Sequence, residues 1–174
     1  MDRLAVSASD AVVGVSASGR TPYTIGAVQQ ARRLGAVTIG VASNPDAELS
    51  RHVDHPLELV AGPEVIAGST RLKAGTAQKV VLNMFSTIAM VRLGKTYGNL
   101  MVDVRATNNK LRQRARRIVS QATGADAATA EQAIAAARGD VKVAIVMLLT
   151  GVDAGDAAAR VAAHHGRVRG AVEG

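Results

Sequence analysis

Two apolar runs of one design constrain this chain more than any other feature: AVVGVSAS from Ala11 and AVTIGVAS from Ala36, each closing on small polar residues. A run of that length with no polar alternation has no face to give to water, so it reads as a buried parallel strand covered on both sides. Between the runs lies a helix. Thr21 can cap it, Pro22 suits its first turn, Ile25, Val28, Ala31 and Leu34 recur at near-helical spacing, and Gly35 stops it. After Asn44-Pro45-Asp46 turns the chain, a short helix from Ala47 to Val53 and a third strand from Pro56 to Val60 follow. Strand, helix, strand, helix, strand predicts a right-handed parallel α/β layer.

A Gly62-Pro63 break then precedes a long helix, expected from Ser69 to about Leu93, whose Leu72, Val80, Met84, Ile88 and Val91 suit packing on the sheet. Beyond Gly98 the chain reads as all helix. A basic helix from about Ala106 leads to helices at 127–137, 140–149 and 154–164, divided by Gly124, Gly139 and Gly151. The expected organisation is an α/β part over residues 1–104, a basic connecting helix over 105–123 and a small three-helix bundle over 124–174.

Composition narrows the chemistry. With 174 residues, 48% of them hydrophobic and 20% charged, the chain buries enough surface to fold. Its only aromatic residues are Tyr23, Phe85 and Tyr97, which removes the stacking platforms that single-stranded nucleic acid needs. The absence of cysteine excludes disulfides, thiolate nucleophiles and Cys-based metal sites. His52 and His55, and the adjacent His164 and His165, lack a carboxylate at helical ligand spacing, so no metal and no cofactor is expected. Without a signal-like start or an apolar run of membrane-spanning length, the expectation is a cytoplasmic protein with no membrane partner. The net charge of +7 concentrates in residues 105–117, where Arg105, Lys110, Arg112, Arg114, Arg116 and Arg117 meet no acidic residue. That run is a footprint for nucleic acid or another anion, or else a solvated helix face; with no nucleic-acid-binding motif in it, the solvated face is preferred.

Two stretches carry candidate chemistry. Ser16-Ala17-Ser18-Gly19-Arg20-Thr21 lies at the carboxyl end of the first strand and opens onto a helix N-terminus, the place where open α/β sheets bind ligands. Unpaired amides and the positive helix end attract phosphate, Ser16, Ser18 and Thr21 add hydroxyls, and Gly19 allows close backbone approach. The plainer alternative is a tight turn with Thr21 as cap. In the second stretch, GPEVIAGSTRLKAGTAQK from Gly62, polar groups crowd the start of the long helix, with Ser69, Lys73 and Thr76 on one face. Glu64 is a lone carboxylate there, a candidate acid, base or sugar-hydroxyl acceptor, or a loop carboxylate paired with Arg71 or Lys73. Gly75 inside that helix suggests close approach of a ligand or another backbone.

These two stretches and YGNLMVDVRATNNKL from Tyr97 resemble, nearly residue for residue, the N-acetylmuramic acid 6-phosphate etherases and the related glucokinase regulatory proteins, which share a sugar isomerase (SIS) domain. The resemblance runs from about Ala11 to the C-terminus, where the helical bundle is similar to a ubiquitin-associated domain. It implies the second half of an SIS domain over 1–104, an amino-sugar 6-phosphate ligand and a homodimer. It also implies a lyase reaction that cleaves the D-lactyl ether to give N-acetylglucosamine 6-phosphate and D-lactate in cell-wall recycling, by elimination and hydration without a metal. The family's first sugar-phosphate loop and its two proposed catalytic glutamates belong to a part that precedes this sequence, so the expectation is a chain inactive by itself. The ligand contacts carried over are Ser16, Ser18, Gly19 and Thr21, and further Glu64, Ser69, Arg71 and Lys73. No catalytic acid or base is carried over beyond Glu64 as a candidate. The alternative is a non-catalytic, regulatory sugar-phosphate-binding module.

Overall fold

The computed structural model describes residues 4–174. Strands β1 (Ala11–Val15), β2 (Val37–Ala42) and β3 (His55–Glu58) form one parallel sheet in the order β1-β2-β3, with Gly14 opposite Gly40 and Gly40 opposite Pro56. Helix α1 (Pro22–Arg33) and a 3-10 helix (Glu48–His52) cover one face, and Ile25, Val28, Leu49 and Val53 are its core. The two glycines let these layers close. A Cβ on Gly14 would stand 2.7 Å from Val28 Cγ1, and one on Gly40 would meet Val53 and Leu49 at 3.0 and 3.1 Å. The α/β layer expected from the two Val-rich runs is present.

The other face is only partly covered. Val41 is buried there, but Val15, Val37 and Leu57 on the same side of the sheet are exposed. Helix α2 (Lys73–Arg92) departs from expectation in two ways. It begins at Lys73 rather than Ser69, because Glu64 caps it there. Its apolar residues do not pack on the sheet: Leu72, just before it, and Val80, Met84, Ile88 and Val91 are all exposed, Met84 and Ile88 at 56%. Helical periodicity reports which residues seek cover, and among the described residues these find none.

The chain divides into two compact units, Met1–Phe85 and Ser86–Gly174, so that Lys95–Val104 belongs with the helices. The stretch beyond Gly98 is not all helix. Strands β4 (Thr96–Tyr97) and β5 (Leu100–Met101) form an antiparallel hairpin around Gly98-Asn99, with Gly98 at a φ of 57°. A two-residue turn of this kind needs positive φ, which Gly supplies and a helix pattern conceals. Helix α3 (Asn109–Thr123) buries Ala115, Ile118 and Val119 against the following helices. Those are α4 (Ala127–Ala136), α5 (Val141–Thr150), α6 (Ala154–Ala163) and the short α7 (Val168–Glu173), one helix more than expected. Asp126, Asp140 and Asp153 cap α4, α5 and α6. Val141 to Val146 of α5 is buried throughout, and the Lys142 ammonium lies 3.6 Å from Asp103, which also pairs with Lys95.

Candidate functional site

The loop after β1 is held by its own hydroxyls. Ser16 is 7% exposed; its Oγ accepts from the Gly19 amide at 3.1 Å and shares a 2.8 Å hydrogen bond with Thr21 Oγ1. The Ser16 amide donates to Val41 O, so the loop continues the sheet register by one residue. With its hydroxyl turned to Ser16, Thr21 occupies the N-cap position of α1 but makes no capping hydrogen bond. Pro22 has no N–H, and the amides of Tyr23 and Thr24 have no carbonyl one turn earlier to reach, so the helix start presents free donors and its positive dipole end. The expectation that Thr21 caps this helix is thus corrected: the loop needs the hydroxyl more than the helix does.

Gly19 is required by the chain itself. Its φ is 67°, and a Cβ there would lie 2.5 Å from Ala47 Cβ. The close approach that Gly19 permits is to Ala47 and Ala42. Ser18 is exposed; its hydroxyl accepts from the Arg20 amide at 3.2 Å and faces a cavity of about 510 Å³. Arg20, Arg51, Asp46 and Glu48 also line that cavity. Two cations and two carboxylates leave it without a strong net charge, so any preference for phosphate comes from directed amides and hydroxyls. The carboxylates are suited to accepting from sugar hydroxyls.

Residues missed in the sequence complete this edge. Ser43, which ends the second apolar run as Ser16 follows the first strand, donates its amide to Ala17 O at 3.0 Å, and Asn44 Nδ2 donates to the same oxygen at 3.3 Å. Gln78 of α2 reaches Ser43 Oγ at 3.4 Å. The repeated strand-then-Ser pattern was the available signal for Ser43, whereas nothing local marks Gln78.

Glu64 is a helix cap. Its two carboxylate oxygens accept from the Lys73 and Ala74 amides, both at 3.0 Å. Those two backbone hydrogen bonds, from Lys73 first and Ala74 second, hold its carboxyl below the ordinary range. A group kept anionic and engaged by two donors is poorly placed to give up a proton, which removes the case for Glu64 as a general acid. No ion pair joins it to Arg71 or Lys73. Ser69 and Arg71 precede the helix, Ser69 donating its amide to Ile66 O, so the face shared by Ser69, Lys73 and Thr76 does not form. A Cβ on Gly75 would sit 3.5 Å from Thr70 O, an ordinary contact. The structure thus gathers Ser16, Ser18, Gly19 and Thr21 in one loop, and among the described residues no hydrogen bond or ion pair joins that loop to Glu64, Ser69, Arg71 or Lys73. Among the described residues no group of three potential metal ligands occurs, and no helix is long and apolar enough to cross a membrane.

A parallel α/β layer with a hydroxyl-rich loop at the carboxyl edge of its first strand is a frame in which open α/β proteins bind ligands. The SIS domain model matches residues 1–88, and the chain belongs to the SIS domain family. It is 69% identical over 149 residues to the N-acetylmuramic acid 6-phosphate etherase of Rubrobacter xylanophilus, a match covering 86% of this chain and 50% of the relative. The etherases of Streptomyces coelicolor, 64% identical with 86% and 48% covered, and Mycolicibacterium smegmatis, 63% identical with 85% and 50% covered, are similarly close. The chain spans about half the length of the curated relatives it matches.

Proposed function

We propose that the Ser16–Thr21 loop binds the phosphate of an amino-sugar 6-phosphate, and that this chain is the binding part of an N-acetylmuramic acid 6-phosphate etherase rather than a complete catalyst. The uncapped start of α1 carries the reading. Its free amides and positive end, with the Ser18 hydroxyl and Arg20 beside them, form the kind of anion cradle that helix N-termini provide. The relatives' name points to the ligand. In the full reaction the D-lactyl ether is cleaved to N-acetylglucosamine 6-phosphate and D-lactate. The engagement of Glu64 as a cap favours a second reading, a non-catalytic regulatory module, in which binding is the whole function. A cytoplasmic homodimer suits both. The uncovered side of the sheet and the exposed length of α2 are the surfaces a second copy would cover.

Calorimetry with glucosamine 6-phosphate and with glucosamine tests the binding. The phosphorylated sugar binds preferentially, in the millimolar range or about −4 kcal/mol. Ser18→Ala weakens that binding by about 1 kcal/mol while Arg112→Gln leaves it unchanged. Equal affinity for the two sugars overturns the proposal. Incubation with N-acetylmuramic acid 6-phosphate releases no D-lactate above background; turnover at a rate ordinary for enzymes would refute the non-catalytic assignment.

A further inference from the structure

The second unit carries a groove that the sugar-phosphate reading does not use. It has a volume of about 660 Å³ and lies between α3 and the β4–β5 hairpin. Leu100, Leu111 and Ile118 line its apolar part, and Lys110, Arg114 and Arg117 stand along it with no carboxylate in the lining. These three cations recur at intervals of four and three residues, on one helical face, and rise about 6 and 4.5 Å apart along the axis.

Folding does not account for them. Like charges at these spacings repel, and Lys110 sits in the first turn of α3, the end where the helix dipole disfavours a cation and where no acidic residue offsets it. Their neighbours are accommodated: Arg116 pairs with Glu131 at 2.9 Å and Arg112 bonds Asn109 Oδ1 at 2.9 Å. Among the described residues, Lys110, Arg114 and Arg117 enter no ion pair.

We infer that this groove is an anion site for a small organic molecule bearing two or more phosphoryl or carboxylate groups, its body resting on Leu100, Leu111 and Ile118. Planar guanidinium forks match oxyanions of either kind in pairs, which a solvated helix face would not require. The three cations span about 10 Å, and no aromatic residue lines the groove on which bases could stack; both features favour a compact ligand over a nucleic-acid strand.

The test uses the intact chain at low ionic strength, titrated by NMR and calorimetry with tripolyphosphate, citrate and orthophosphate. The multivalent anions bind at least about tenfold more tightly than orthophosphate and shift the Leu100 and Ile118 methyl resonances. Better binding of tripolyphosphate assigns phosphoryl groups, and better binding of citrate assigns carboxylates. Arg114→Gln with Arg117→Gln lowers affinity by about tenfold or more, while Arg112→Gln, with one charge removed from the same helix outside the groove, changes it by less than about twofold. Ser18→Ala has no effect, which separates this site from the sugar-phosphate loop. Equal losses from Arg112→Gln and the groove variants would mean diffuse attraction and overturn the proposal. So would equal affinity for orthophosphate, or a single-stranded oligonucleotide that outcompetes every small anion.

Discussion

Ser16 and Ser18 stand two residues apart with opposite tasks. The Ser16 hydroxyl is buried and bonded to both Gly19 N and Thr21 Oγ1, so Ser16→Ala leaves the Thr21 hydroxyl short of a partner, while the Gly19 amide keeps its 2.9 Å bond to the Ser16 carbonyl. That loss lowers stability by about 1–3 kcal/mol, visible as a lower denaturant midpoint. The exposed Ser18 bonds only a neighbouring amide within the loop, so Ser18→Ala leaves the midpoint within about 0.5 kcal/mol of the parent. Equal midpoints for the two variants would contradict this division. Gly19→Ala is harsher than either. It forces a side chain into the left-handed region, about 1–2 kcal/mol, and adds a contact of 2.5 Å to Ala47 that requires the loop to move. Its stability falls below that of Ser16→Ala, and circular dichroism melts rank the three variants.

At the scale of the element, helix ends offer the clearest tests. Glu64 caps α2 from nine residues before its first residue, and its carboxyl is held below its ordinary value of 4.5 by the Lys73 and Ala74 amides. A carboxylate with a depressed folded-state pKa contributes stability that is complete above its unfolded value and drains as pH falls through the folded one. Hydrogen exchange therefore finds the start of α2 equally protected at pH 7 and pH 6, with protection lost only below 4.5. Glu64→Gln shows weaker protection throughout, without that acid step; a matching acid step in the variant would rule out Glu64 as the cap. In α5 the Asp140 carboxylate accepts from the Lys142 and Val143 amides, so Asp140→Ala costs about 1 kcal/mol in a chemical denaturation. The strands of the β-hairpin at 96–101, two residues each, and helix α7, six residues long, are too short for periodicity to mark.

The molecule as a whole leaves apolar surface open on the sheet and along α2. Val80, Met84, Ile88 and Val91 recur at helical spacing on one face of α2 and are all exposed, as are Phe85 and Leu93, and apolar residues displayed in such number mark an interaction surface. Light scattering at tens of micromolar accordingly finds dimers or larger species. Met84→Lys with Ile88→Lys shifts the chain toward monomer and removes the concentration dependence of its melting temperature, since neither side chain is packed in the chain and both act only through association. A parent chain that stays monodisperse and monomeric would count against association through α2.

The succession of strands and helices in the α/β layer and the loop after β1 were legible because each depends on residues adjacent in sequence. An unbroken apolar run demands burial, a Ser-rich turn before Pro22 demands a helix start, and a left-handed Gly ends one. The position where α2 begins was not legible, since its cap arrives from across a loop, and neither was Gln78 beside Ser43, which no periodicity connects. The same limit applies to α2's apolar side chains. The sequence by itself determined that Met84 and Ile88 seek burial, and only the tertiary structure decided that they stand exposed among the described residues, because cover is a property of surfaces brought together in space.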